Sequence, residues 1–395
     1  MTKKKGKMVL DYERAAWCAL SKVFGYEPAT GSAITAELGS AAAVFEMSER
    51  ERDSLFGPFS KFKGQITPSL LEKSYSELEK LSKDGCRFIC RADEGYPEIL
   101  KECEDAPLGL YYKGVSEPGD VFGVKRKVAI VGTRDISPYG SDSCRSIVRA
   151  LSETRHKPLI VSGFALGTDI IAHSTALECS LPTVAVLPTG IDEVYPRRHW
   201  GWAKKLASTP HCAIVTDYPP GTGAVAVNFL RRNRIIAGLA EATIVIESKA
   251  RGGGLITAEF AFNYDREVYA VPGRVEDIRS AGCNNLIKKR IADPVTSIPA
   301  LVADLGLGRR GRFGTATPTA DLRSLYSSLP EDELERLIAV ARYIKECRGI
   351  TAEDIALKLG NCSVGEAGRI VSMLEADGIV ATDLLQRCSL RARIV

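Results

Sequence analysis

The residues best placed to do chemistry lie where apolar runs end in glycine. The stretch LIVSGFALGTDIIAH, residues 159–173, closes an apolar run at Ser162-Gly163. It passes through Phe164, Ala165, Leu166 and Gly167 to Thr168 and Asp169, and reaches His173 four residues later. A strand that stops at a glycine turn and enters a helix aims backbone amides at one point, which suits an anion. Asp169 and His173 lie one helical turn apart and face the same way. They are candidates for an acid and base acting on a bound nucleotide. The plainer readings are that Asp169 caps the helix and that His173 is a structural histidine bonded beneath the loop. These are preferred, because the sequence offers neither residue a nucleophile or a metal partner. Glu259, two residues after Thr257 in RGGGLITAE, keeps a nucleotide-cleaving reading open.

Other apolar runs end in a similar way. Gly132-Thr133-Arg134 follows VAIV; the glycine lets a ligand approach the backbone and the arginine offers a planar fork for phosphate. Pro188-Thr189-Gly190 follows TVAV, Arg251-Gly252-Gly253-Gly254 follows TIVI, and Pro272-Gly273 follows VYAV. Phe229-Leu230-Arg231-Arg232-Asn233-Arg234 is expected just before the helix that precedes TIVI. Its three arginines are the densest charge of the central region and suggest a polyanion track, because each neutralised phosphate adds salt-dependent affinity. Phe164 and Phe229 are candidate platforms for bases, and Phe164 equally suits a core. The dinucleotide fingerprint G-x-G-x-x-G and the P-loop string are both missing. A redox enzyme and an ATPase are therefore disfavoured.

The elements that must position these residues form a repeating pattern. Short apolar runs begin near residues 128, 159, 183, 213, 243 and 268, separated mostly by enough chain for a crossover helix. Buried parallel strands read as continuous apolar runs, so the pattern predicts a Rossmann-like, doubly wound parallel α/β sheet. In such sheets ligands bind beyond the carboxyl ends of the strands. Ahead of it, residues 1–83 read as a small helical domain, of SAM or helix-hairpin-helix type. A leading β segment opens the 84–305 core, with strands expected at Phe88-Ile89 and Leu110–Tyr112. Residues 306–328, rich in Gly, Arg, Thr and Ser, read as a linker. Residues 329–395 read as three helices and a β-ribbon, the winged-helix pattern. Its third helix sets Arg369 against Glu366, Glu375 and Asp377. That balance is poor for reading DNA, so a protein-contact or regulatory role is preferred there.

Composition narrows the class. The 395 residues are 45% hydrophobic and 26% charged with a net charge of +4, ordinary for a globular protein. The 11 cysteines are scattered with no C-x-x-C pair, which reads as reduced thiols rather than a disulfide framework or metal site. No secretory signal or apolar stretch of 18 residues occurs, so a cytoplasmic protein without a membrane span is expected. The Lys3–Lys7 cluster reads as a solvated tail.

SGFALGTDIIAH, TVAVLPTGIDEVYP, NFLRRNRIIAGL, RGGGLITAEFAF, REVYAVPG and GCNNLI occur in an order and spacing that resembles the DprA (Smf, DNA-processing protein A) family. YPEILKECEDAPLGLYYKG is similar to the segment that precedes the core in that family. The resemblance implies a non-enzymatic protein that binds single-stranded DNA during natural transformation, protects it, helps load the RecA recombinase, and dimerises through the core. It implies no cofactor. It places the strand against Gly132, Thr133 and Arg134, the loop Ser162, Gly163, Phe164, Ala165, Gly167, Thr168 and Asp169, the trio Arg232, Asn233 and Arg234, and Gly252, Gly253 and Gly254. This sequence departs at Leu166, where many members are basic or polar, at Leu230, where proline is usual, and at Gly252 and Gly254, where serines are usual. Two rival readings remain: a Rossmann-like nucleotide phosphoribohydrolase using Glu259, and a winged-helix transcription factor with a ligand-sensing core.

Overall fold

The sheet grows from the expected apolar runs. The computed structural model describes residues 2–57, 59–307, 319–320, 322–347, 349–360, 362–382, 387–390 and 393–394. Its strands are β1 (Cys86–Cys90), β2 (Gly109–Lys113), β3 (Lys127–Val131), β4 (Leu159–Ser162), β5 (Thr183–Val186), β6 (Ala213–Thr216), β7 (Ala242–Val245), β8 (Glu267–Ala270) and β9 (Asp293–Pro294). They form one nine-stranded sheet in the order β1-β2-β6-β5-β4-β3-β7-β8-β9. From β6 to β9 every pairing is parallel. β1 and β2 pair antiparallel with each other, and β2 pairs antiparallel with β6. The leading segment thus extends the same sheet. The chain order runs outward from β3 to β6 on one side and from β7 to β9 on the other, so β3 and β7 flank the switch point.

Side chains alternate between two apolar layers. Val184, Val186, Ala213 and Val215 face one layer with Ile235, Ile236 and Ala258. Ala185, Leu187, Cys212 and Ile214 face the other, with Ala15, Leu20, Phe24 and Phe88. The helices Thr2–Val23 and Pro68–Lys83 cover this second face, so the N-terminal helical segment and the sheet share one core. The thin sequence between strands is tied down by polar bonds: Tyr96, fully buried, donates its hydroxyl to the Pro107 carbonyl at 2.6 Å. Among the described residues no helix is long and apolar enough to cross a membrane.

Residues Met1–Leu301 make one unit and Val302–Val395 a second. In the second, helices Glu331–Glu346, Ala352–Leu359 and Val364–Ala376 bury Leu337, Val340, Ile355, Ile370 and Leu374. Thr351 and Asp354 form a capping box and Ser363 caps the third helix, as their position before apolar runs dictates. Val380–Thr382 and Cys388–Leu390 pair as an antiparallel ribbon. The acids of the third helix and its C-cap serve structure. Glu375 accepts from the backbone amide and hydroxyl of Thr382, Asp377 accepts from Tyr326, and Arg369 faces Glu333 at 3.5 Å. Most of the expected linker, including the RRGR run, lies outside the described residues.

Removing the Tyr96 hydroxyl orphans a buried carbonyl. Tyr96→Phe is expected to lower stability by about 1–2 kcal/mol, read as a lower urea midpoint at unchanged slope. An unaltered midpoint would show that water reaches Pro107.

Candidate nucleic-acid interface

The site is built where the sheet changes direction. Beyond the carboxyl ends of β3 and β7 lies an open cleft of about 410 Å³. Of the residues expected in the site, Gly132, Thr133, Arg134, Ala165, Asp169, Arg232, Asn233, Gly252, Gly253 and Gly254 line it. Phe229, Leu230, Lys249 and Arg251 line it as well. The helix Gly253–Asn263 starts at its edge. First-turn amides of a helix have no helical carbonyl to bond, so Gly253 and Gly254 present donors and the positive end of a helix dipole there.

The Ser162–Asp169 loop works differently from the expected anion cradle. Several of its donors are already bonded inside the protein. Ser162 Oγ donates to the Ile130 carbonyl, and the Thr168 amide and hydroxyl both donate to the Thr133 carbonyl. The Ala165 amide donates to Asp169 Oδ2 at 3.2 Å. Asp169 therefore ties the loop instead of capping its helix, whose N-cap is Gly167. Burial raises its carboxyl above the ordinary value, opposed by Arg232 and by the Ala165 amide. Phe164 is fully buried between the rings of His173 and His199, at 5.6 and 5.4 Å. It is a core residue and offers no base platform.

Gly167 has φ +72°, and a Cβ there would meet the Thr133 carbonyl oxygen at 2.4 Å. Only glycine fits that left-handed turn. His173 is the structural histidine expected. Its Nδ1 lies 2.7 Å from Thr183 Oγ1, which donates its own proton to the Ile160 carbonyl. The imidazole is therefore the donor. Burial pushes its pKa down to about 3, so it is neutral at pH 7.

The arginine trio lies inside a helix, Ala226–Gly238, and not before it. The helix sends its arginines three ways. Arg231 stacks on Tyr26 with the guanidinium 3.6 Å from the ring centroid. Arg232 is buried and donates to the carbonyls of Gly163 and Val186. Burial pushes its pKa down to about 10, opposed by Asp169, which leaves it charged at neutral pH. Arg234 is buried against Asp217 at 2.6 Å and donates to the Asp105 carbonyl. Arg234 is thus committed to the fold, and Arg232 forms the cleft floor. Asn233 donates to the Gly253 carbonyl at 3.3 Å and fastens the helix to the glycine turn.

The cations that face solvent across the cleft are Arg134, Lys249 and Arg251. The Arg134 guanidinium sits 4.7 Å from the Phe229 ring centroid, and Phe229 packs edge-on against Tyr195 at 5.4 Å. Asp135 is exposed between Lys249 at 4.0 Å and Arg279 at 3.3 Å. Lys249 was not singled out by sequence reasoning. Arg251 belongs to the strand-end run Arg251–Gly254, of which only the glycines are expected in the site. Glu259 is exposed and stands outside the cleft lining.

Fold and site together define a Rossmann-like α/β protein with a cationic, glycine-edged cleft at its switch point. Residues 87–306 match the family model described as DNA recombination-mediator protein A, and the chain belongs to that family. Protein Smf of Synechocystis sp. is 32% identical over 299 residues, covering 74% of this chain and 73% of the relative. DNA processing protein DprA of Streptococcus pneumoniae is 36% identical over 254 residues, covering 62% and 86%. The X-ray structure of the Streptococcus pneumoniae DprA superposes with a TM-score of 0.53 at 33% identity, covering 65% of this chain and 90% of that one.

Two expectations test the site's internal supports. Gly167→Ala should destabilise by roughly 1–3 kcal/mol from backbone strain alone, with the Thr133 clash added. A thermal melt at wild-type midpoint would contradict the turn geometry. For His173 the folded pKa of about 3 lies below the ordinary 6.5. Its contribution is therefore full above pH 6.5 and is lost as pH falls toward 3. Between pH 7.5 and 5 that loss is about 2 kcal/mol. Denaturant titrations at both pH values should show the loss in wild type and a correspondingly smaller one in His173→Asn.

Proposed function

We propose that this protein is a recombination mediator that holds single-stranded DNA in the switch-point cleft, without cleaving it. The observation that carries the reading is the set of solvent-facing groups there. Arg134, Lys249 and Arg251 ring an aromatic, Phe229, and the open amides of a helix start. Cations that track a backbone together with an aromatic face for bases are the general equipment of single-strand grooves. A duplex keeps its bases stacked inside, where Phe229 cannot reach their faces, so a single strand fits better. The protective and RecA-loading roles, assembly as a homodimer through the sheet core, and a winged-helix identity for residues 329–395 belong to this proposal by family resemblance. A protein-contact role for that last unit agrees with the internal use of Arg369, Glu375 and Asp377.

The phosphoribohydrolase alternative has less support, since its candidate base Glu259 is outside the cleft lining. Incubation with nucleoside monophosphates should release no free base. Release that disappears in Glu259→Gln would reverse the assignment.

The direct test is titration of a homopolymeric single-stranded oligonucleotide at several salt concentrations. Arg134→Ala and Arg251→Ala should each weaken binding across sequences and lower the salt slope by about 0.7. Arg232→Ala is a poorer probe, because it also orphans two carbonyls. Wild-type affinity and slope in both exposed-arginine variants would refute the cleft as the binding surface.

A further inference from the structure

A second cationic surface lies on the same edge of the sheet. The chain leaves β5 through Pro188-Thr189-Gly190 and reaches Tyr195-Pro196-Arg197-Arg198-His199-Trp200. Arg197–His199 is one turn of 3₁₀ helix and leads directly into the helix Trp200–Ser208. His199 is buried and its Nδ1 lies 3.0 Å from the Phe164 carbonyl oxygen. That bond fixes the turn to the loop after β4, next to the cleft. The flanking side chains point outward: Arg197, Arg198, Lys204 and Lys205 are exposed, and Trp200 is 56% exposed. Lys204 Nζ stands 3.6 Å over the Trp200 ring, on one of its faces. Among the described residues no carboxylate pairs with any of these four cations. The nearby acid Asp192 accepts from the Gly221 amide at 3.0 Å.

An exposed indole is unfavourable in water, and unpaired like charges repel, so stability does not account for the cluster. It is continuous with the cleft: Arg134 stacks on Phe229, Phe229 abuts Tyr195, and Tyr195 is two residues from Arg197. β5 is separated from β3 only by β4. Two strand spacings are about 10 Å, or about three stacked nucleotides at roughly 3.4 Å each.

We propose that Arg197, Arg198, Trp200 and Lys204 form a second single-strand subsite that receives nucleotides leaving the cleft past Tyr195. It rests on the reading of the cleft as a DNA groove. The arginines neutralise phosphates, and the free face of Trp200, polarised by Lys204 on its other side, stacks a base. A chain too short to pass Tyr195 gains nothing from these residues.

The test uses the full chain with two oligothymidylates, one of about 3 nucleotides, whose length at roughly 3.4 Å each is used up within the cleft, and one of about 20, longer than common groove sizes. Trp200→Ala should weaken the longer oligonucleotide by roughly 5- to 150-fold, the range for loss of one stacked base, and leave the shorter one unchanged. Trp200→Phe should recover much of the loss. The Arg197→Ala/Arg198→Ala double variant should lower the salt slope by about 1.4 for the longer oligonucleotide only. Tryptophan fluorescence should be quenched by the longer oligonucleotide, and less so in Trp200→Phe. Wild-type affinity and slope for the longer oligonucleotide in both the Trp200→Ala and the double-arginine variants would overturn the subsite alone. Equal loss on both lengths would also overturn it, because the effect would then come from the cleft. A wild-type protein that binds neither oligonucleotide would remove the cleft reading and this one together.

Discussion

The geometry of the cleft depends on one buried cation. At the carboxyl ends of β4 and β5 the ladder stops, and the carbonyls of Gly163 and Val186 need donors from elsewhere. Arg232 supplies both from the neighbouring helix. Its guanidinium has five N–H groups in a rigid fork, so one side chain joins the helix, the β4 loop and β5. A buried cation is costly unless it is bonded and balanced. The carbonyls bond it, and the Asp169 carboxylate opposes its loss of charge. The two groups crowd Gly163 so closely that a Cβ there would meet Arg232 Nη2 at 2.6 Å and Asp169 Oδ2 at 2.7 Å. The glycine in the turn is therefore a packing requirement set by the arginine.

From this follows a division between cations that build and cations that face outward. Arg232 and Arg234 are withdrawn from solvent and hold loops in place. Arg134, Lys249 and Arg251 stand on the rim, anchored at strand ends and at the glycine turn. The exposed Asp135 sits between Lys249 and Arg279. Exposed pairs of this kind are weak, so an incoming phosphate competes with Asp135 for Lys249 on easy terms. The buried Arg232 adds a fixed positive potential under the floor, where screening by salt is weaker than at the rim.

Much of this was legible in the sequence, for reasons that also explain the failures. VAIV, LIV, TVAV, AIV, TIVI and VYAV became parallel strands because strands buried on both faces must be apolar throughout. The strand-end rule then led to Gly132–Arg134 and Gly252–Gly254. It took FLRRNR whole, of which Phe229, Leu230, Arg232 and Asn233 line the cleft and Arg231 and Arg234 do not, because charge density along a chain does not reveal direction. Within the helix, Asn228, Arg232 and Asn233 are buried, while Leu230 and Arg231 are left on the accessible side. Three adjacent-looking arginines thus acquire three surroundings. Phe164 was ambiguous for a similar reason: an aromatic in a glycine loop can point either way, and here His173 and His199 enclose it. Lys249 carried a usable signal, being a cation four residues past the last residue of β7.

The space beside Gly252 and Gly254 is already occupied. A Cβ on Gly252 would meet Ser248 Oγ at 2.2 Å, so the space is already held by a hydroxyl from the preceding loop. A Cβ on Gly254 would stand 3.2 Å from Gly132 Cα. There the start of the Gly253–Asn263 helix and the turn after β3 approach backbone to backbone, across the switch point. A side chain at Gly254 would press on the turn after β3, and one at Gly252 would have to displace the Ser248 hydroxyl. Without them, the surface offered to a ligand is amide rather than hydroxyl. Backbone amides at a helix start recognise a phosphate by charge and direction and are indifferent to which base is attached. A groove so edged, with Phe229 offering a face that any base can stack on, matches a strand of arbitrary sequence, which is what the proposed role requires.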